Sequence, residues 1–174
     1  MSLEIAEQLI PLRAMAHPVR LRILSLTTGA SMSAAEIAGE LGIVHAAASY
    51  HARQLADAGL LQVVEEPGQR NGPGRPPVRY RYVAKLSEKL DRSDGSEALW
   101  AAEAQDIQRR LRARTRHRVG ADADVWMSPA DFDKICALAQ QISDLIHERA
   151  HPPHAKGTVH GSVGVLVFEL DNGR

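Results

Sequence analysis

The stretch from Ser33 to Gly59, SAAEIAGELGIVHAAASYHARQLADAG, constrains the fold more than any other part of the chain. Ser33-Ala34-Ala35-Glu36 is a capping box, in which serine and glutamate satisfy each other's free backbone donors and so open a helix. That helix runs to Leu41, where Gly42 supplies the left-handed conformation that stops it. A second helix starts within about three residues and runs to near Ala58, with Gly59 ending it. Two short helices joined by so tight a turn form a helix-turn-helix. In the second helix Ala48, Ala52 and Leu55 share a face by i, i+4, i+7 spacing, and this face is expected to turn toward Leu21, Leu24, Ile37 and Leu41.

On either side of this unit the pattern completes a small domain. His17-Pro18 opens a further helix, because proline is tolerated at the first helical turn, and Val19, Leu21, Ile23, Leu24 and Leu26 fill it. An amphipathic helix from about Leu3 to Met15 precedes it, with Pro11 challenging its continuity. After Leu60 the period turns strand-like: LQVVEE, a tip PGQRNGPGRPP, then VRYRYVA, where Val78, Tyr80 and Tyr82 alternate with Arg79, Arg81 and Val83. Helices followed by a hairpin with a long basic tip define the winged variant. The expected fold is therefore mainly α with a small antiparallel β-wing.

The rest of the chain reads as a separate helical region. Ser96 to about Arg114 forms a helix with Trp100, Ala104, Ile107 and Leu111 on one face, and its end carries Arg109, Arg110, Arg112, Arg114, Arg116 and Arg118. At a helix C-terminus such a run is more simply a solvated, dipole-favoured end than a DNA contact. Ser128-Pro129-Ala130-Asp131 caps another helix, striped by Phe132, Ile135, Ala139, Ile142 and Ile146 and ending near Ala150. The closing run SVGVLVFEL looks like a short terminal strand buried on both faces. We expect two units: a DNA-binding winged helix-turn-helix over 1–85, and a C-terminal helical region over 86–174 that pairs subunits. The amphipathic stripes must be covered, and a symmetric partner chain is the obvious cover.

Bulk charge gives no hint of nucleic acid, since the formal net charge is +0, so any DNA-binding surface rests on local arginines. The face of the second helix opposite its apolar seam presents Ala46, Tyr50 and Arg53, flanked by Ser49 and Gln54. These are donors, acceptors and a small residue suited to the major-groove floor: Arg53 for guanine or phosphate, Ala46 or Ala47 for a thymine methyl, Ser49 and Tyr50 for base edges or phosphate oxygens. Taken singly, each is more simply a solvated side chain; the helix-turn-helix context favours the contact reading for the set. His45 and His51 are carried as candidates too, but at the margin of the buried face packing without a DNA contact is the simpler account of both. Arg70 and Arg75 in the tip, and Arg79 and Arg81 on the returning strand, are the wing candidates for a phosphate or a narrow minor groove.

The segments RAMAHPVRLRILSLT, SAAEIAGELGI, HAAASYHARQLADAGLL and VRYRYVA, over about Leu12 to Ala84, together resemble the ArsR-type winged-helix repressors. The resemblance implies a homodimer on inverted-repeat operators, with release of DNA on binding a metal or other ligand in many members. It also implies that Ser49, Tyr50, His51 and Arg53 lie on the reading helix and that the arginine-bearing hairpin is the wing. One departure matters. Where the metalloid sensors of the family carry a Cys-x-Cys pair before the reading helix, this chain has AAEIAGELG, so their soft-ligand site is absent. Asp131, Asp133, Asp144 and His147 fall at the spacing of a second family metal set, but Asp131 is more simply a capping acid and Asp133 first-turn dipole compensation. His147, His151 and His154 are a weaker metal candidate, interrupted by Pro152 and Pro153. No metal and no cofactor is expected, and no effector is named by the sequence.

The lone Cys136 permits no intrachain disulfide, no apolar run is long enough to span a membrane, and a cytoplasmic location is the default. No nucleophile–base pair, phosphate loop or paired-carboxylate constellation suggests an enzyme. The expected function is a sequence-specific duplex-DNA-binding transcriptional regulator, a homodimeric repressor open to ligand control. A winged-helix protein-interaction module is the alternative.

Overall fold

A computed structural model describes residues 10–64, 76–83, 97–116, 119–120 and 123–170. Helical residues 10–15 lead into α1 (Pro18–Thr28), followed by β1 (Met32–Ser33), α2 (Ala34–Leu41), α3 (His45–Asp57), β2 (Leu61–Val64) and β3 (Arg79–Tyr82). The expected helix over 3–15 lies partly outside the described residues. Two further helices complete the order: α4 (Glu97–Arg112) and α5 (Pro129–Arg149). Among the described residues, no helix is long and apolar enough to cross a membrane.

Helices α1, α2 and α5 start where a side chain accepts an orphan amide, whereas α3 starts at Val44, which makes no side-chain cap. His17, in extended backbone, caps α1 by accepting the Val19 amide on Nδ1 at 3.2 Å, with Pro18 in the first turn. The capping box at α2 is complete: Ser33 Oγ accepts from the Glu36 amide at 3.3 Å and Glu36 Oε2 accepts from the Ser33 amide at 2.7 Å. Gly42, at φ 65, ends α2 in the left-handed region and returns its N–H to the last turn. At α5, Ser128 Oγ accepts from the Asp131 amide at 3.2 Å, so Asp131 has the geometry of a cap partner.

The core joins α1, α2, α3, the sheet and α4 around Leu12, Ile23, Ile37, Leu55, Leu60 and Leu99, all essentially inaccessible. Ala48, Ala52 and Leu55 are fully buried, which places the seam of α3 as its periodicity requires. The sheet has the order β1-β3-β2, antiparallel throughout, with Val63 opposite Tyr80 and Met32 opposite Tyr80 on the other side. The returning strand of the hairpin is thus central. This fold is a winged helix-turn-helix, mostly helical with a three-stranded antiparallel sheet.

The C-terminal half shows one buried helix face beyond the expected stripe and lacks the expected strand among the described residues. Helix α4 buries Leu99, Ala102 and Asp106 against the first unit, whereas the stripe Trp100, Ile107 and Leu111 stays 38–50% exposed. Both sets have helical spacing, so the helix carries two faces and the chain covers only one. The expected terminal strand is absent: residues 161–170 form no ladder, and Val163, Val165, Leu166 and Phe168 are exposed. A strand is held by a hydrogen-bonded neighbouring strand, and among the described residues the contact made here is a side-chain one, Arg110 Nη1 donating to Ser162 Oγ at 3.0 Å, with no ladder. Helix α5 likewise has no buried residue along its whole length.

Buried Asp106 is compensated by Arg109 Nη2 at 2.7 Å and Arg110 Nε at 3.0 Å, so two members of the arginine run neutralise a carboxylate. The end of α5 and the turn after it lie on the winged unit. The His147 ring sits 5.5 Å from that of Tyr82 in β3, and His154 Nε2 lies 3.1 Å from Glu40 Oε2 in α2. Gly29, after α1, approaches the His151 backbone so closely that a Cβ there would collide with its carbonyl. The rings of His147 and His154 therefore face different neighbours, and His151 touches Gly29 through its backbone. Among the described residues, no group of three or more His, Cys, Asp or Glu side chains converges as a metal site would need.

Candidate nucleic-acid interface

Once Ala48, Ala52 and Leu55 face the core, the 3.6-residue period decides what α3 can show outward. His45, Ala46, Tyr50, Arg53 and Gln54 are exposed; Ser49 is half-buried. The phenol of Tyr50 stands free enough to reach a partner at 56% exposure, and Arg53 Nε donates to the Ser49 carbonyl at 3.3 Å, which lays the guanidinium along its own helix. The outward face thus combines a planar cation, a phenol, an amide and a small alanine on one rigid helix, the set of groups that reads base edges and grips phosphates.

His51 is placed differently from its neighbours. Its ring is half-buried, 4.6 Å from the His17 ring and 5.3 Å from that of Tyr50, and its Nδ1 is buried without a hydrogen-bond partner. Burial, and then the charge of Arg20, hold His17 below its ordinary value; burial, His17 and Arg20 do the same for His51. Sequence spacing alone did not reveal Arg20. It sits one turn after His17 on α1, its Nη2 donating to the Arg13 carbonyl at 3.4 Å. It borders a shallow cleft of about 260 Å³ shared with Arg13, Gln54 and Asp57. The signal was present in the HPVR segment, but only packing of α1 on α3 brings it to the outward face of α3.

The wing candidates divide. Arg70 and Arg75 lie outside the described residues. Arg81 is exposed on β3. Arg79 is turned inward: Nε donates to Ser31 Oγ at 3.2 Å, Nη2 to the Ser31 carbonyl at 2.7 Å, and Nη1 lies 3.1 Å from Glu36 Oε2. Its guanidinium is spent on binding the central strand to the cap of α2, so we remove it from the candidate contact set. Burial pushes the Glu36 carboxyl up, but hydrogen bonds from the Ser33 backbone and hydroxyl and from Arg79 outweigh it and leave the group below its ordinary value.

Comparison with protein families agrees with the helix-turn-helix part of this layout. A helix-turn-helix domain family matches residues 15–64, which span α1 through β2. Among solved structures, HlyU from Vibrio cholerae N16961 is similar at 23% identity and a TM-score of 0.39, the match covering 66% of this chain and 100% of that one. Reduced HlyU from Vibrio cholerae N16961 is similar at 22% identity and a TM-score of 0.38, covering 64% of this chain and 94% of that one. No curated protein sequence matches the chain.

Proposed function

We propose that the chain is a sequence-specific duplex-DNA-binding transcriptional regulator of the ArsR type, acting as a homodimeric repressor. The observation that carries this reading is the segregation of α3: a fully buried seam of Ala48, Ala52 and Leu55 behind an outward face of His45, Ala46, Tyr50 and Arg53. A helix seated by small residues on one side and bearing polar readers on the other can enter a major groove without disturbing its own core. Arg81, with Arg70 and Arg75 of the hairpin, supplies the flanking phosphate contacts in this reading. The dimeric state is supported by the bare stripe of α4 and by the unburied length of α5, which a second copy would cover.

Selection of bound fragments from a genomic library on the purified protein, followed by footprinting, tests the proposal. A two-fold symmetric footprint with half-sites one helical turn apart, weakening steeply with salt, is the expected result. Arg53→Ala should lose about 1–3 kcal/mol of discrimination between sites, while Arg75→Ala weakens binding uniformly. If no fragment is retained at low salt, the DNA reading fails and the winged unit is a protein-docking module instead.

A further inference from the structure

We propose that His17 and His51 are positioning residues for the reading helix, holding α1 against α3 only while both imidazoles are neutral, so that acidification loosens the seat of that helix. The first half rests on stereochemistry. His17 caps α1 by accepting the Val19 amide on Nδ1. An imidazolium carries a proton on each nitrogen and has no acceptor, so this cap exists only in the neutral form with the proton on Nε2. The positive end of α1 opposes a cation at the same place.

The second half rests on what surrounds the pair. The rings of His17 and His51 are 4.6 Å apart, and the buried Nδ1 of His51 has no partner that a proton there would need. The charged and titratable groups around them are Arg20 on α1 and Tyr50 on α3, with Arg13 and Asp57 across the cleft that Arg20 borders. Among the described residues, no hydrogen bond or ion pair joins either imidazole to a carboxylate. Protonating the pair would add two cations beside Arg20 and break the cap of α1 in one step. Both groups lie below the ordinary value of 6.5, in the direction this geometry requires. A folded-state value below the unfolded one means that the neutral pair stabilises the fold above the unfolded value. That contribution is lost as pH falls through the folded value.

The test uses the full chain. Thermal melts between about pH 7.5 and about pH 5.5 are compared for wild type, His17→Asn, His51→Gln and the double variant, asparagine being a cap that does not titrate. The wild type should lose about 3–6 °C more than the double variant over this range, the shift that a tenfold loss in the folding equilibrium gives in a chain of this size. Parallel pH slopes in the two proteins would overturn the proposal. Nitrogen-15 NMR of the wild-type imidazoles decides independently if a variant does not fold: a neutral Nε2–H tautomer at His17, titrating below the free value, supports the seat, and an Nδ1–H tautomer overturns it. Duplex binding across the same range rests on the preceding proposal. Affinity falling with acid in wild type and not in the double variant supports the device, and equal falls count against it. Absence of binding at every pH would sink the DNA reading alone, with melts and tautomer still deciding the seat.

Discussion

Replacing Arg79 by alanine separates a structural bolt from a DNA contact. The guanidinium gives two hydrogen bonds to Ser31, at 3.2 Å to the hydroxyl and 2.7 Å to the carbonyl, and its side chain is only 13% exposed. Hydrogen bonds from a charged donor contribute about 1.5–3 kcal/mol each in favourable cases. The Ser31 carbonyl would be left without this donor in a half-closed site. The pairing with Glu36 adds less, about 0–1 kcal/mol, because that carboxylate is 47% exposed and solvent screens it. A net loss of about 2–4 kcal/mol follows, smaller than the sum because water partly replaces the lost donors. In a chain of this length the melting temperature should fall by about 5–15 °C. Arg81→Ala, two residues along the same strand and exposed, should stay within about 0.5 kcal/mol. Urea denaturation of both variants measures the contrast. Equal stability of the two, or a stable Arg79→Ala protein that has lost only DNA affinity, would refute the bolt.

Three further outcomes follow from the same geometry. Leu55→Ala, at a fully inaccessible position of the α3 seam, should cost about 2–5 kcal/mol by denaturant titration; a loss under about 1 kcal/mol would mean that α3 is not seated as described. Ser33→Ala should cost about 1 kcal/mol and weaken the acid dependence of stability. The Glu36 carboxyl is held below its ordinary value of 4.5, so its contribution is present above that value and fades as pH falls through the folded one; an unchanged acid limb would contradict this assignment. Gly29→Ala forces a Cβ into the His151 backbone and should cost about 1–3 kcal/mol, with faster amide exchange over residues 147–158 than in wild type. Unaltered exchange there would show that the contact does not hold the C-terminal segment.

The parts legible in the sequence were those governed by local chemistry. The capping box at Ser33, the stop at Gly42 and the alternation at Tyr80 each act over a few residues, and each appears in the structure as expected. Strand β1 was not legible, because Met32 and Ser33 are too few to show a period and exist as a strand only through pairing with Tyr80 and Arg79. The same pairing explains why Arg79 and Arg81 part company. Alternation puts them on one face, but β1 brings Ser31 and Glu36 only to the first, while Arg81 lies opposite Gln62 of β2. For α4 only the Trp100 and Ile107 face was read from the sequence, and the burial of Leu99 and Ala102 is decided by α1 and the core. Residues 161–170 failed for the converse reason: valine content marks a willingness to be a strand, and the neighbour is a matter of tertiary structure.

The seam and the outward face of α3 share no residue. Ala48, Ala52 and Leu55 have no access to solvent, and His45, Ala46, Tyr50 and Arg53 have no part in the core. If the helix reads DNA, operator preference and thermal resilience can then drift along separate mutational axes. Substitutions at positions 46 and 53 can rewrite recognition without touching the core, while Tyr50, against the His51 ring, is tied to the seat; positions 46 and 53 are thus a natural place for duplicated copies of the gene to diverge and for a designer to begin.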